Sequence, residues 1–209
     1  MVRILCIGDA HVPVRANDLP MQIYGKINDL TNTELFDYIF FTGDIINFPK
    51  LLDFLNQKTK RTLFRVIGNM DYYYGIRDSP EYQKLDIIFE DNIKLTLGLT
   101  HGVQVKPRGD HDQLESLAIE RKYNILVSGH THKEEVFLTS KGILLLNPGS
   151  VTGAWSFVAS GIPSFIELSI DNKIKEIIVK LFQINKKTRE MSALESMFIM
   201  ENNQIYKKY

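Results

Sequence analysis

His130 and His132 stand one residue apart in ILVSGHTHKEE, where an apolar run stops. Asp9 and His11 repeat the spacing in ILCIGDAH. If extended geometry holds through such a pair, residues i and i+2 project to one side, and imidazole is the commonest neutral metal ligand. An isolated H-x-H is equally compatible with a turn that exposes two imidazoles, so the rest of the chain has to decide.

The same device recurs along the sequence. Apolar runs stop at Asp9 after RILCIG, at Asp44 after DYIFFTG, at Asn69 after LFRVIG, at His101 after IKLTLGLT and at His130 after NILVSG. Each run is short and rich in Ile, Val, Leu and Phe, the pattern of a buried strand. Gly8, Gly43, Gly68 and Gly129 come immediately before the polar residue, and Gly102 follows His101. Glycine there permits unusual backbone angles and close approach. Asp9, His11, Asp44, Asn69, His101, His130 and His132 are too many ligands for one tetrahedral zinc. They suit two divalent ions that share a ligand, and mixed N/O donors favour Mn, Fe, Co or Zn over Mg. Two such ions roughly 3.5–4 Å apart can bridge a hydroxide and clamp a phosphoryl oxygen. The implied chemistry is hydrolysis of a phosphate ester by direct in-line attack, with no covalent enzyme intermediate.

The elements that must position these residues are legible from periodicity. PMQIYGKINDL places Ile23, Ile27 and Leu30 on one helical face, PKLLDFLNQ begins with Pro49, and DHDQLESLAIERKY places Leu114, Leu117 and Ala118 together behind a capping Asp110. Strand–helix alternation in the first half predicts an α/β fold with ligands beyond the carboxyl ends of its strands. The second half, with EEVFLTS, ILLLNPGS, PSFIELSID and KIKEIIVKLFQI, predicts a second, largely antiparallel sheet packed on the first.

Composition bounds the rest. A chain of 209 residues with 44% hydrophobic content supports one good-sized core. Lys+Arg and Asp+Glu balance at 25 each, which argues against general attraction to nucleic acid or an anionic membrane. The lone Cys6 lies in an apolar run and fits a reducing compartment. The N-terminus enters a strand at once and does not read as a signal peptide, and no apolar stretch is long enough for a membrane span, so the expected location is cytoplasmic.

Taken in order, DAH, GD, GNMD, HG and GHTH resemble the motif set of the calcineurin-like metallophosphoesterases. DAHVPVR, HGVQVKPRGD, NPGSVTGA and PSF narrow the likeness to the small prokaryotic phosphodiesterase branch, which also includes the metallophosphoesterase-like subunit of retromer. The resemblance spans residues 1–184. It implies a four-layer α/β/β/α sandwich with two mixed sheets flanked by helices. It also implies two divalent ions per chain, Mn first and Fe, Co, Ni or Zn as alternatives. One ion would be held by Asp9, His11, Asp44 and His132, and the other by Asp44, Asn69, His101 and His130, with Asp44 bridging. Asp71 would orient the site from behind. The implied activity is metal-dependent phosphodiester hydrolysis on a small-molecule ester. The alternative is a non-catalytic scaffold, like the retromer subunit, that binds protein partners.

Met70 departs from the family pattern, in which many members place a histidine able to protonate the leaving group. Tyr72, Tyr73 and Tyr74 are expected to pack their loop, with walling the pocket or stacking on a base as the alternative. His111 is expected to be solvated, and NPGS at 147–150 to form a structural turn. Arg15 and Arg108 read equally as surface charge or as phosphate contacts. Residues 185–209 are expected to form an extension packed on the domain or on a partner subunit, with homo-oligomerisation through it as one outcome.

Overall fold

The computed structural model describes residues 1–208. Its frame is two mixed sheets packed face to face. In the first, β1 (Val2–Ile7), β2 (Phe36–Phe41) and β3 (Thr59–Arg65) run parallel. Joined antiparallel on the other side of β1 are β9 (Ser164–Ile170), β10 (Glu176–Ile184), β11 (Met191–Glu201) and β12 (Gln204–Lys208), giving the order β12-β11-β10-β9-β1-β2-β3. The second sheet has the order β4-β5-β6-β8-β7. Its strands are β4 (Tyr82–Ile88), β5 (Lys94–Thr100), β6 (Ile125–Val127), β7 (Glu134–Leu138) and β8 (Leu144–Pro148), of which β5, β6 and β8 are parallel.

Alternation along the strands explains the layers. In β1, Ile4 and Cys6 join the apolar seam between the sheets with Leu95, Leu97, Leu99, Ile125, Val127, Leu144 and Leu146. Leu5 and Ile7 face the other way, against Ile23 and Ile27 of α1 (Met21–Thr31) and Leu51 and Leu55 of α2 (Pro49–Asn56). Side chains i and i+2 share a face, so a strand buried on both sides reads as a continuous apolar run. On the outer face of the second sheet, Leu126 and Leu145 pack on Leu114 and Ala118 of α4 (His111–Glu120). Asp110 caps α4 by accepting from Gln113 N at 3.0 Å. The result is the α/β/β/α sandwich expected from the sequence.

The assignment of strands to sheets differs from the expectation. The second half of the chain does not build a sheet of its own: β7 and β8 complete the sheet begun by β4–β6, whereas β9–β12 extend the first sheet through β1. A strand's two-residue period states that both faces are covered but not which neighbour it pairs with. The short helix α3 (Asn69–Tyr73) and strand β4 went unread, α3 because one turn has no measurable period. Residues 191–208 form the hairpin β11–β12, which pairs on β10 and sends Phe198, Met200 and Ile205 into the seam between the sheets. Among the described residues, no helix is long and apolar enough to cross a membrane.

Candidate metal centre

The carboxyl ends of β1, β2, β5 and β6 converge, and the polar residues that follow them are carried inward. Asp9, His11, Asp44, His101, His130 and His132 are all buried. The turns are held by cross-links between loops: Asp9 N–H donates to Gly43 O at 3.0 Å and His11 N–H to Asp44 O at 2.9 Å. Five of these residues adopt the left-handed region, Asp9 (φ 49°), His11 (52°), Asp44 (57°), His130 (69°) and His132 (59°). An L-residue there costs about 1–2 kcal/mol, and such strain gathers where the surroundings over-determine a functional geometry. The glycines serve close approach. A Cβ on Gly68 would overlap the Asp44 carboxylate, and one on Gly129 would stand 2.6 Å from Asp9 Oδ2.

Ligand-type atoms of Asp9, His11, Asp44 and His132 lie within 4.8 Å of one another. His11 Nε2 is 3.0 Å from His132 Nε2 and 3.3 Å from Asp44 Oδ2, and His132 Nε2 is 3.4 Å from Asp9 Oδ1. Ligands bound at about 2.0–2.2 Å to one ion necessarily stand roughly 3–3.6 Å apart, and these separations match. A second set adjoins the first through Asp44. His101 Nε2 is 3.5 Å from Asp44 Oδ2, 3.1 Å from Asn69 Oδ1 and 3.2 Å from His130 Nδ1. All seven residues expected from the sequence are thus brought to one place.

The second layer sets which ring nitrogens point inward. His132 Nδ1 donates to Ala154 O at 2.9 Å and His101 Nδ1 to Thr42 O at 2.8 Å. A carbonyl only accepts, so in a neutral ring so bonded Nε2 carries the lone pair. The Asp71 side chain holds backbone N–H groups of the site, Oδ2 accepting from Asp44 N at 2.7 Å and Gly68 N at 3.0 Å and Oδ1 from Ile46 N at 2.7 Å, while its own N–H donates to Asp44 Oδ1 at 3.4 Å. NPGS does more than turn the chain. Asn147 Nδ2 donates to Gly129 O and Thr131 Oγ1, and Ser150 Oγ donates to Asp9 O at 2.7 Å. The sequence marked NPGS as a turn near the site through its resemblance block, but gave no signal of which backbone groups Asn147 and Ser150 hold.

Burial sets the electrostatics. The Asp9 carboxyl is pushed well above the usual carboxylate range by burial and by the neighbouring Asp44, against the pull of the His130 amide that donates to Oδ2 at 3.0 Å. Asp44 is raised for the same first reason, although Met70 N–H donates to its Oδ1 at 2.7 Å. Burial pushes His11 down to about 2, His130 to about 3 and His132 to about 4, with neighbouring imidazoles adding to each shift. Asp9 Oδ1 is buried and has no hydrogen-bond partner among the described residues. A buried acceptor without a donor is costly, and here it faces two imidazole nitrogens. A divalent cation satisfies that oxygen and the inward lone pairs together, so the donor set fits a metal.

Other expectations need correction. His111 is not simply solvated: its Nε2 lies 2.8 Å from Glu135 Oε2 and its ring stacks on Phe137 at 3.8 Å. Tyr72, Tyr73 and Tyr74 pack within their own loop, Tyr72 under the Arg77 guanidinium at 3.4 Å and Tyr73 edge-to-face on Tyr74 at 5.4 Å, yet they remain 60%, 77% and 48% exposed. Arg15 donates to Trp155 O at 2.7 Å, and Arg108 lies over the Phe157 ring at 5.8 Å, so both arginines sit at the rim beside exposed aromatics. Trp155 and Phe157 had not been singled out from the sequence.

A four-layer sandwich with a buried Asp/His cluster at its strand ends describes a metallophosphoesterase, and the chain belongs to the calcineurin-like phosphoesterase superfamily, whose domain profile matches residues 2–173. It is 35% identical over 146 residues to a probable metallophosphoesterase from Methanothermobacter thermautotrophicus, covering 70% of this chain and 75% of that protein. Among solved structures it is similar to vacuolar protein sorting 29 from Cryptosporidium parvum, with TM-score 0.80, 27% identity and coverage of 95% and 98% of the two chains. It is also similar to Vps29 from Entamoeba histolytica complexed with Zn2+, with TM-score 0.74, 29% identity and coverage of 93% and 99%.

Two outcomes follow from this geometry. Replacing Asp71 with Asn puts an NH2 group where a carboxylate oxygen now accepts backbone N–H bonds. Asp71→Asn is expected to weaken divalent-metal binding by about 10–100-fold while the protein still unfolds cooperatively; calorimetric titration with Mn2+ checks it. The second concerns protons. The free protein holds protons on carboxyls whose pKa is raised, and the metal-bound form requires them ionised, so the bound state carries fewer protons. Metal binding should therefore release protons, and affinity should fall as pH falls. The three depressed histidines contribute none of these protons above about pH 5, being neutral already. Titration at pH 6 in two buffers of different ionisation enthalpy measures the release, and proton uptake or none would contradict this account.

Proposed function

We propose that the protein is a divalent-metal-dependent phosphodiesterase that hydrolyses small phosphate esters by in-line attack of water, without a covalent intermediate. The observation that carries this reading is the buried, unpartnered Asp9 Oδ1, which faces His11 and His132 and adjoins the Asp44 carboxylate. Asp9, His11, Asp44 and His132 would hold one ion, and Asp44, Asn69, His101 and His130 the other, with Mn as the first choice. Two ions bound there supply an ionised water near neutral pH and positive charge against the phosphoryl oxygens.

The chain's own residues have separate tasks. Asp44 is placed to serve both sets because Met70 N–H holds its Oδ1 while Oδ2 lies between His11 and His101. Asp71 fixes the turn that carries it. The backbone carbonyls of Thr42 and Ala154 keep His101 and His132 aimed inward. Arg15 and Arg108 place positive potential at the mouth, where an anionic ester arrives; both act on the histidines of the site. Met70 has no proton to give, so the leaving group departs without help from that position.

The scaffold reading is favoured by one observation, the coverage of more than nine-tenths of this chain by Vps29 structures. One assay separates the two. Mn-loaded protein should bind about two ions per chain and hydrolyse bis(4-nitrophenyl) phosphate. His130→Ala and His132→Ala should each lower turnover by about 100-fold or more, the scale of losing one oriented electrostatic group, with little change in fold. No turnover by metal-loaded protein would leave the scaffold reading standing. The position of Met70 adds a further outcome. General acid catalysis is worth roughly 10²–10⁴-fold, so rates should fall steeply as leaving-group pKa rises, and Met70→His should flatten that slope. A flat profile in the unmodified protein, with chemistry rate-limiting, would point to another acid.

A further inference from the structure

Beside the metal centre lies a cavity of about 300 Å³ whose lining includes Asn69 and His101. Its other walls include Ile67, Tyr72, Tyr82 and Val103. The same short elements therefore supply both the proposed metal ligands and an apolar, aromatic-walled cavity. Tyr72 lies three residues after Asn69 on α3, a spacing that puts the two on one helical face. Val103 lies two residues after His101. The volume is at the lower end of ligand pockets, roughly 300–1,000 Å³, enough for one small group rather than a macromolecule.

Both tyrosine rings are held in place from outside. The Arg77 guanidinium lies 3.4 Å from the Tyr72 ring centroid and is anchored by donating to Tyr72 O and Ile76 O. The Arg121 guanidinium lies 3.4 Å from the Tyr82 centroid. A cation–π contact of this kind fixes a ring by one face. Tyr72 nevertheless stays 60% exposed and Val103 43% exposed. Large apolar surface left uncovered, rigid, and next to convergent polar groups is the character of a ligand site rather than of a core.

We infer that this cavity is a specificity subsite that takes a flat aromatic group, a nucleobase or an aryl ring, carried by the phosphate ester. The inference rests on the phosphoesterase reading and deepens it: with the phosphate at the Asp/His cluster, one ester substituent on the Asn69–His101 side enters between the tyrosine walls. Tyr72 and Tyr82 are binding residues here, with no part in proton transfer. Stacking on an aromatic side chain, as measured for bases, is worth about 5–150-fold in affinity.

Non-hydrolysable phosphonates test this without turnover. Binding of methyl-, cyclohexyl- and phenylphosphonate and of a nucleotide whose ester oxygen is replaced by methylene, a nucleoside phosphonate, to Mn-loaded protein is measured by calorimetry. Phenylphosphonate should bind about tenfold more tightly than cyclohexylphosphonate, which has similar bulk and the same charge but no flat face. Tyr72→Leu should remove that preference and leave methylphosphonate affinity unchanged; its exposed position makes it safe for the fold, and Tyr82→Leu is the second variant. Tighter binding of the nucleotide than of phenylphosphonate assigns the subsite to a base, and the reverse assigns it to a simple aryl group. Equal affinity for the flat and puckered rings, or a preference that survives both substitutions, overturns the subsite. Failure of every phosphonate to bind, methylphosphonate included, overturns the phosphoesterase reading and the subsite with it.

Discussion

Two carboxylates removed from water set the terms for everything around them. Asp9 and Asp44 lie where the ends of two sheets meet, and neither is matched there by an arginine or lysine in an ion pair. Around them burial holds His11, His130 and His132 well below the ordinary imidazole range, so these three rings bring no positive charge near neutral pH. Backbone N–H groups of His130 and Met70 stabilise one oxygen of each carboxylate. The other oxygen of each faces imidazole nitrogens. Negative charge in low dielectric is tolerated only when paired, and a multivalent cation is the pairing this geometry admits.

The frame exists to hold that arrangement still. Parallel β1 and β2 in one sheet and β5 and β6 in the other end at the same level, so four loops meet over a seam filled with Ile, Leu and Val. The loops are then tied to each other rather than to solvent. Asp71 gathers the Asp44 turn, and Asn147 at the end of β8 and Ser150 just beyond it reach the GHTH and DAH turns. Residues far apart in sequence thereby define positions to within a hydrogen bond, which is what a site assembled from several loops requires.

The residues of the cluster were legible because most follow a rule with a short range: an apolar strand, a glycine, then a side chain able to bind a metal. The four-layer α/β/β/α arrangement came from the family resemblance, whereas periodicity alone gave an α/β fold whose strands are covered on both faces. What stayed hidden depends on long-range pairing. The apolar runs of β9 and β10 read alike whether they extend the first sheet or build another, and only their register against β1 decides it. Asn147, Ser150 and the carbonyl of Ala154 act through contacts made more than 15 residues away in sequence. The exposure of the three tyrosines after GNMD was not legible, because aromatic residues are most often buried.

The left-handed backbone of Asp9, His11, Asp44, His130 and His132 has an evolutionary consequence. Each is a position where the native conformation opposes the preference of the residue that occupies it. In a lineage that ceased to need the metal, glycine at these turns would relieve the backbone strain, since it adopts the same angles without a steric penalty, although each replacement would empty a buried side-chain position. The core seam and both sheets would be untouched by such drift. A fold of this kind can therefore give up its metal-binding side chains and keep its outer surface, which makes it ready material for a protein whose only task is to be recognised.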